Sequence, residues 1–239
     1  TDAETLMAAL VSCPGVEIAA FNAPRVQTIT GPVEAVRDFC EHTPHRTQLL
    51  TVSHAFHSAA MEGAVVPFAD AVAATRLKAP TVAFATTLTG GWHTPVTATD
   101  PDHWAQAIRR PVRFTQALAT VHEADPDAVW EIGPHPQLVP LARAAVAEPH
   151  PVWISTLHRD RNDQVQLHTA LAAHHNRTGT ALNWAALHQH KHQHTTTIPT
   201  YPFNRQRFWI PAGPADAGDA VGLADSTRPH ETKRHEHHG

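Results

Sequence analysis

Residues 51–58 read Thr51-Val52-Ser53-His54-Ala55-Phe56-His57-Ser58, and here the chain changes its pattern. Upstream, β-type runs at 16–20 and 26–30 are separated by the turn material Asn22-Ala23-Pro24. Gly31-Pro32 then introduces a helix over 33–41 with Val33, Val36 and Phe39 on one face, and a third β-type run covers 47–52. This β-β-α-β order, preceded by the end of a helix over 1–12, predicts a small layered α+β unit. Downstream of Ser58 the chain alternates between the two periods. Ser58 caps a helix with the stripe Met61, Val65, Phe68 and Val72, which Pro67 should kink. A strand at 81–86 ends at Gly90-Gly91, and Asp100-Pro101 is a strong helix start. A further helix follows Pro111 with Phe114, Leu118 and Val121. Next come a strand at 128–132, a Gly133-Pro134-His135-Pro136 turn into a helix over 137–146, and a strand at 152–156. Last is an amphipathic helix over 163–177, stopped at Gly179. Such alternation predicts an α/β layered domain.

Composition narrows the function classes. With 239 residues, 42% hydrophobic and 17% charged, the chain has enough apolar material for one domain or one and a part. Its apolar runs are too short to span a bilayer, and no basic, apolar and small-residue progression opens it. No membrane span and no secretory leader are expected. Cys13 and Cys40 form neither a C-x-x-C pair nor a disulfide framework, which fits a reducing, cytoplasmic location. The formal net charge of −4 argues against nucleic acid as a partner. Because Thr1 leads straight into helical sequence, a piece of a longer polypeptide is expected.

A histidine in a short turn between strand and helix can face a cleft, and imidazole is the side chain best suited to move a proton near neutral pH. In a chain with 21 histidines that is weak evidence by itself. Other segments add to it. His54-Ala55-Phe56-His57 with Ser58 resembles the HAFH box of polyketide synthase acyltransferases that select malonyl units. Phe21-Asn22-Ala23-Pro24 through Thr30-Gly31 is similar to that family's N-x-P…V-x-S/T-G segment. Residues 104–114 (WAQAIRRPVRF) resemble its W-x-x-x-L-R-x-P-V-R-F segment, and 131–136 (EIGPHP) its E-x-G-P-H-P turn. Residues 200–210 (TYPFNRQRFWI) are similar to the end of the linker that follows the domain. Five boxes in order cover roughly residues 1–212.

The resemblance implies a partial acyltransferase large subdomain at 1–15 and 54–150, with an inserted ferredoxin-like small subdomain at 16–53. A post-acyltransferase linker would cover 151–212, and 213–239 would be a disordered tail. It also implies an acyl transfer in which a serine attacks malonyl-CoA and passes the malonyl group to the phosphopantetheine thiol of an acyl carrier protein, with no cofactor. His57 would be the catalytic base. His54, Ala55 and Phe56 would set substrate choice. The methylmalonyl-selecting relatives carry Tyr-Ala-Ser in those places, so Phe56 puts a ring where an α-methyl group would go. Such a pocket discriminates one methyl by about 1–3 kcal/mol. The carbonyl that orients the histidine would be that of Ala107. Asn22 and His135 read as turn-forming and packing residues. A ketosynthase and a dehydratase domain would be neighbours, the latter because 220–229 is faintly similar to a dehydratase lead-in.

The main departure is an absence. The family's nucleophile sits on a G-H-S-x-G elbow, and no serine of this chain has glycine two residues before and two after it. That elbow, and the arginine that pairs with the malonyl carboxylate, are expected upstream of Thr1, and the fragment alone is expected to be inactive. Two rival readings lie elsewhere. One is a structural segment of a megasynthase without catalysis. The other is a metal module on His188, His190, His192 and His194, but Lys191 would repel a cation and nothing supplies a second shell. A solvated linker fits that tract better, and no metal is expected. Tyr201, Phe203, Phe208 and Trp209, interleaved with Arg205 and Arg207, fit a linker that buries its aromatics against neighbouring domains.

Overall fold

The computed structural model describes residues 1–148 and 151–187. The histidine tract at 188–194, the aromatic run at 201–209 and the tail lie outside them.

The N-terminal part is a hairpin held between two helices. Asp2 caps α1 (Ala3–Leu10): its Oδ1 accepts the Thr5 N–H at 2.9 Å, which satisfies one of the orphan donors of the first turn. Strands β1 (Glu17–Ala23) and β2 (Val26–Thr30) pair antiparallel from Glu17 opposite Thr30 to Ala23 opposite Val26. Gly31 closes the base of this hairpin because a Cβ there would lie 2.5 Å from the Gly15 carbonyl oxygen. Helix α2 (Val33–His42) lays Ala35, Val36 and Phe39 against buried Leu6, Leu10 and Val16. Val33 is left 62% exposed, so the buried stripe begins two residues later than the periodicity suggests.

Two expected strands do not form. Residues 47–52 are exposed and form no ladder. The edges of β1 are taken by β2 on one side and by Val112 on the other, through a parallel bridge at Ala20, and 47–52 pairs with neither strand. The β-β-α-β unit expected at 16–53 therefore lacks its last strand, and the described residues do not show a ferredoxin-like subdomain. At 81–86 only an isolated bridge forms, Ala85 opposite Trp92, because the Gly90-Gly91 turn reverses the chain at once. There Thr86 N–H donates to the Gly91 carbonyl at 2.8 Å, and His93 N–H to that of Phe84 at 2.9 Å.

The rest follows the alternating pattern. A 3-10 turn (Ala59–Met61) leads into α3 (Glu62–Ala73), and the short α4 (Pro95–Ala98) precedes α5 (Pro101–Arg109). Asp100 caps α5 by accepting the Asp102 N–H at 3.0 Å, with Pro101 at the first helical position. Helix α6 (Phe114–His122), strand β3 (Ala128–Glu131), helix α7 (Leu138–Ala145) and strand β4 (Val152–Ser155) form the second layer. Strands β3 and β4 are parallel, and Phe114, Leu118, Ala142, Val146 and Trp153 pack together between them and the helices. Helix α8 (Asp163–Thr178) runs back over β4 and ends at Gly179, whose φ of +68 suits glycine as a left-handed cap. A last turn, α9, covers Trp184–Leu187. Among the described residues no helix is long and apolar enough to cross a membrane.

Candidate active site

The segment expected to carry chemistry is a turn, and its strain is localised. His57 has φ +58, in the left-handed region that a residue with a Cβ adopts only at a cost of about 1–2 kcal/mol. Two carbonyls from the end of α5 hold it there. The His57 backbone N–H donates to the Ile108 oxygen at 3.1 Å, and the ring Nδ1 lies 2.9 Å from the Arg110 oxygen. A carbonyl can only accept, so Nδ1 carries the proton. The neutral ring then presents a lone pair at Nε2, the arrangement a general base needs. No described residue hydrogen-bonds Nε2.

The expected orienting carbonyl at Ala107 is corrected by this geometry: the oxygen at the ring belongs to Arg110, three residues further on. The reason lies in the helix end. Inside α5 the carbonyls run along the helix axis, and the Arg110 N–H still donates back to Gln106 at 2.8 Å. With ψ +154, Arg110 leaves the helix and turns its carbonyl sideways. The next residues are fixed on both flanks. Val112 N–H donates to Ala19 and Phe21 N–H to Val112, each at 2.8 Å, while Arg113 N–H donates to Thr87 at 2.7 Å. The Arg113 guanidinium also lies 5.9 Å from the centre of the Phe21 ring. The R-R-P-V-R-F stretch is thus a ledge on which the histidine rests. A proline followed by a strand-like valine after a helix was the available sign of it in the sequence.

The other members of the box divide into exposed and buried residues. His54 and Phe56 are exposed, their ring centres 5.7 Å apart, and His54 Nδ1 is 2.8 Å from Ser53 Oγ. Ala55 is half-buried. Ser58 is only 2% exposed; its hydroxyl donates to the Ala55 carbonyl at 2.6 Å and accepts the Ala60 N–H at 3.2 Å. It closes the turn and is not free to act as a nucleophile. An open cleft of ≈ 440 Å³ beside the ledge is lined by Leu88, Gln106, Arg110, Pro111 and Arg113.

Asn22 and His135 make their hydrogen bonds with partners other than this turn. Asn22 Nδ2 donates to Thr28 Oγ1 at 3.0 Å across the hairpin. The carboxylate of Glu131, which sequence reasoning passed over, accepts the N–H groups of Gln137, Leu138 and Val139 at 2.7, 2.9 and 2.8 Å. Burial pushes its pKa up, but those three N–H groups and nearby His135 outweigh this and hold it below the ordinary carboxylate range. His135 accepts the Arg159 N–H at 3.4 Å and meets His158 edge-on at 4.5 Å. Among the described residues no group of three or more His, Cys, Asp or Glu side chains is placed to hold a metal ion.

Residues 1–181 fit the family model described as the acyl transferase domain. The chain is 33% identical over 225 residues to polyketide synthase GfsB of Streptomyces halstedii, covering 90% of this chain and 4% of that protein. It is 31% identical to the phenolphthiocerol synthesis polyketide synthase type I Pks15/1 of Mycobacterium marinum, covering 87% of this chain and 10% of that one. The solved acyltransferase domain from the second module of the salinomycin polyketide synthase aligns with a TM-score of 0.71 at 28% identity, over 85% of this chain and 48% of that one. The acyltransferase domain of SpnD, in complex with 2-(pent-4-yn-1-yl)malonyl, aligns with a TM-score of 0.67 at 30% identity, over 72% and 43%. The chain therefore spans a small share of the curated relatives and about half of the solved domains. By sequence and by fold it belongs to the acyl transferase domain family, as a portion of an acyltransferase domain of type I polyketide synthases.

Proposed function

We propose that this chain supplies the general-base half of a site that moves a malonyl unit from malonyl-CoA to the phosphopantetheine thiol of an acyl carrier protein, by way of a serine outside this sequence. The observation that carries the reading is the Arg110 carbonyl at 2.9 Å from His57 Nδ1, which fixes the tautomer with Nε2 open. In the first half-reaction Nε2 takes the serine proton as the serine oxygen bonds to the malonyl thioester carbon. The carbon–sulfur bond then breaks, and the imidazolium returns the proton to the leaving CoA thiolate. In the second half Nε2 takes the carrier thiol's proton, the thiolate attacks the ester, and the serine oxygen recovers the proton. A main-chain carbonyl serves where other serine enzymes use a carboxylate.

The choice of malonyl rests on Phe56 at the rim of the turn, beside His54 and Ala55. The solved SpnD domain holds a malonyl group substituted at its central carbon, so the family's fold accommodates such substituents when the wall allows it. A phenyl ring at 56 narrows that space. No serine here has the flanking glycines of an elbow, so the chain by itself turns over no thioester. Its working context is a multidomain polypeptide with ketosynthase and dehydratase neighbours.

The test uses the whole acyltransferase domain that contains this chain. After incubation with malonyl-CoA, mass spectrometry should show the malonyl ester forming roughly 10²–10⁴-fold more slowly in His57→Ala than in the parent. Unchanged loading would leave the segment a scaffold without catalysis.

A further inference from the structure

We propose that Glu17 and Arg109 are positioning residues for His57, acting through the backbone N–H of Ala59; the inference rests on the reading of His57 as the base. The two carbonyls that hold His57 belong to Ile108 and Arg110 and so bracket Arg109. The side chain of Arg109 leaves that stretch for β1, where Nη1 donates to Glu17 Oε2 at 3.1 Å. The second oxygen of the same carboxylate, Oε1, accepts the Ala59 N–H at 2.7 Å. Ala59 is two residues beyond His57. The connections therefore close on themselves: from His57 to the carbonyls flanking Arg109, from Arg109 to Glu17, and from Glu17 back to the chain just after His57.

Burial ranks the members. The side chains of Arg109 and Glu17 are 20% and 34% exposed, whereas Glu62, which accepts from Arg109 Nε at 2.9 Å, is 70% exposed. A water-exposed pair contributes little, so Glu62 is the outer partner and Glu17 the one that matters. The contact also has a purpose that an ordinary surface ion pair lacks. Ala59 opens the 3-10 turn behind the box, where a backbone N–H has no helical acceptor. Ser58 Oγ takes the N–H of Ala60, and Glu17 takes that of Ala59. One side of a residue held at φ +58 is thus fixed by the ledge and the other by Glu17. Freeing either side allows the turn to relax toward ordinary dihedrals and carries the ring off its carbonyl. A displacement on the order of 1 Å in a reacting group costs roughly 10²-fold in rate.

The experiment measures kcat and KM for malonyl transfer to the carrier protein in the whole domain, with melting temperatures alongside. Glu17→Ala should lower kcat roughly ten- to hundredfold while KM for malonyl-CoA stays within about twofold. Glu17→Gln should regain only part of the loss, because its amide oxygen still accepts the Ala59 N–H while its NH2 can no longer accept from Arg109 Nη1. Ala59→Pro deletes only that N–H. Proline suits the first helical position and Ser58 is already extended at φ −134, ψ 175, so this variant keeps the test open should Glu17→Ala fail to fold. It should match Glu17→Ala in kcat. Exposed Glu34→Gln is the control and should change nothing. Parent-like kcat in Glu17→Ala or Ala59→Pro, with only the melting temperature lowered, would overturn the proposal, as would equal losses in Glu17→Gln and Glu17→Ala. His57→Ala in the same series separates the two claims: if it retains transfer, the base reading itself has failed.

Discussion

His57 and His135 both stand where an extended segment turns into a helix, yet the two turns are built in opposite ways. At 53–59 the partners come from far away in sequence: the ring meets a carbonyl 53 residues on, and the Ala59 N–H meets a carboxylate 42 residues back. The backbone there is strained and one ring nitrogen has no described partner. At 131–139 the support is close at hand: Glu131 accepts three N–H groups six to eight residues ahead and caps α7. His135 accepts a backbone N–H, and burial, then the positive charge of Arg159 and the neighbouring His158, hold it below the ordinary histidine range. A turn assembled from distant parts can hold a side chain against a chosen partner; a locally capped one stops a strand and starts a helix. Both contain a motif histidine, and only the partners tell them apart.

The largest expected effect tests that division directly. In the whole domain, His57→Ala should lower acyl transfer by roughly 10²–10⁴-fold, whereas His135→Ala should leave kcat within about threefold and lower only the melting temperature. Comparable losses of rate in the two variants, measured with the same carrier protein, would erase the contrast. Next in size is Phe56→Ser, which should raise methylmalonyl loading relative to malonyl by about ten- to two-hundredfold in a competition read by mass spectrometry. A constant ratio would remove Phe56 from the acyl pocket.

Smaller effects probe the locally capped side. Glu131→Ala leaves three N–H groups without an acceptor and should cost about 1–2 kcal/mol, seen as a lower midpoint in denaturant. Because folding lowers the pKa of Glu131, its contribution is full above the ordinary glutamate range and is lost as pH falls through that range to the folded value. The parent and Glu131→Ala should therefore converge in acid, and a gap that persists there would mean another cause. The smallest effect concerns His93, tilted against Phe84 and stacked on Trp104 with ring centres at 4.2 and 5.4 Å. Burial, then the charge of His103, lowers its pKa, so the folded state resists the proton that the unfolded chain accepts below about pH 6.5. The melting temperature should drop between pH 7 and pH 5, with a shallower drop in His93→Phe. Equal slopes would show that His93 stays neutral without consequence.

How much was legible in the sequence follows the range of the forces involved. Asp100-Pro101, Gly179 and the strand–turn–helix from Ala128 announced themselves because caps, prolines and periodic stripes act within one or two turns of chain. The failures at 47–52 and 81–86 have the opposite cause. A β-type run becomes a strand only when it meets a partner: 47–52 pairs with none, and 81–86 makes a single bridge at Ala85 before the Gly90-Gly91 turn reverses the chain. The orienting carbonyl was missed by three residues because it depends on where α5 releases its last N–H. Glu131, Glu17 and Arg109 were passed over because a carboxylate's acceptors and an arginine's partners leave no period in the sequence.

By itself, then, the order of amino acids determined the alternating α/β layering, the helix ends and the HAFH box with its histidine. Each is set by interactions among near neighbours or by a motif of consecutive residues. The tertiary structure alone decided which carbonyl meets His57, which nitrogen of its ring is left open, and which charged groups hold the turn. Those depend on bringing residues 17, 57 and 108–113 together, and a hydrogen bond reaches only about 3 Å whatever the separation along the chain.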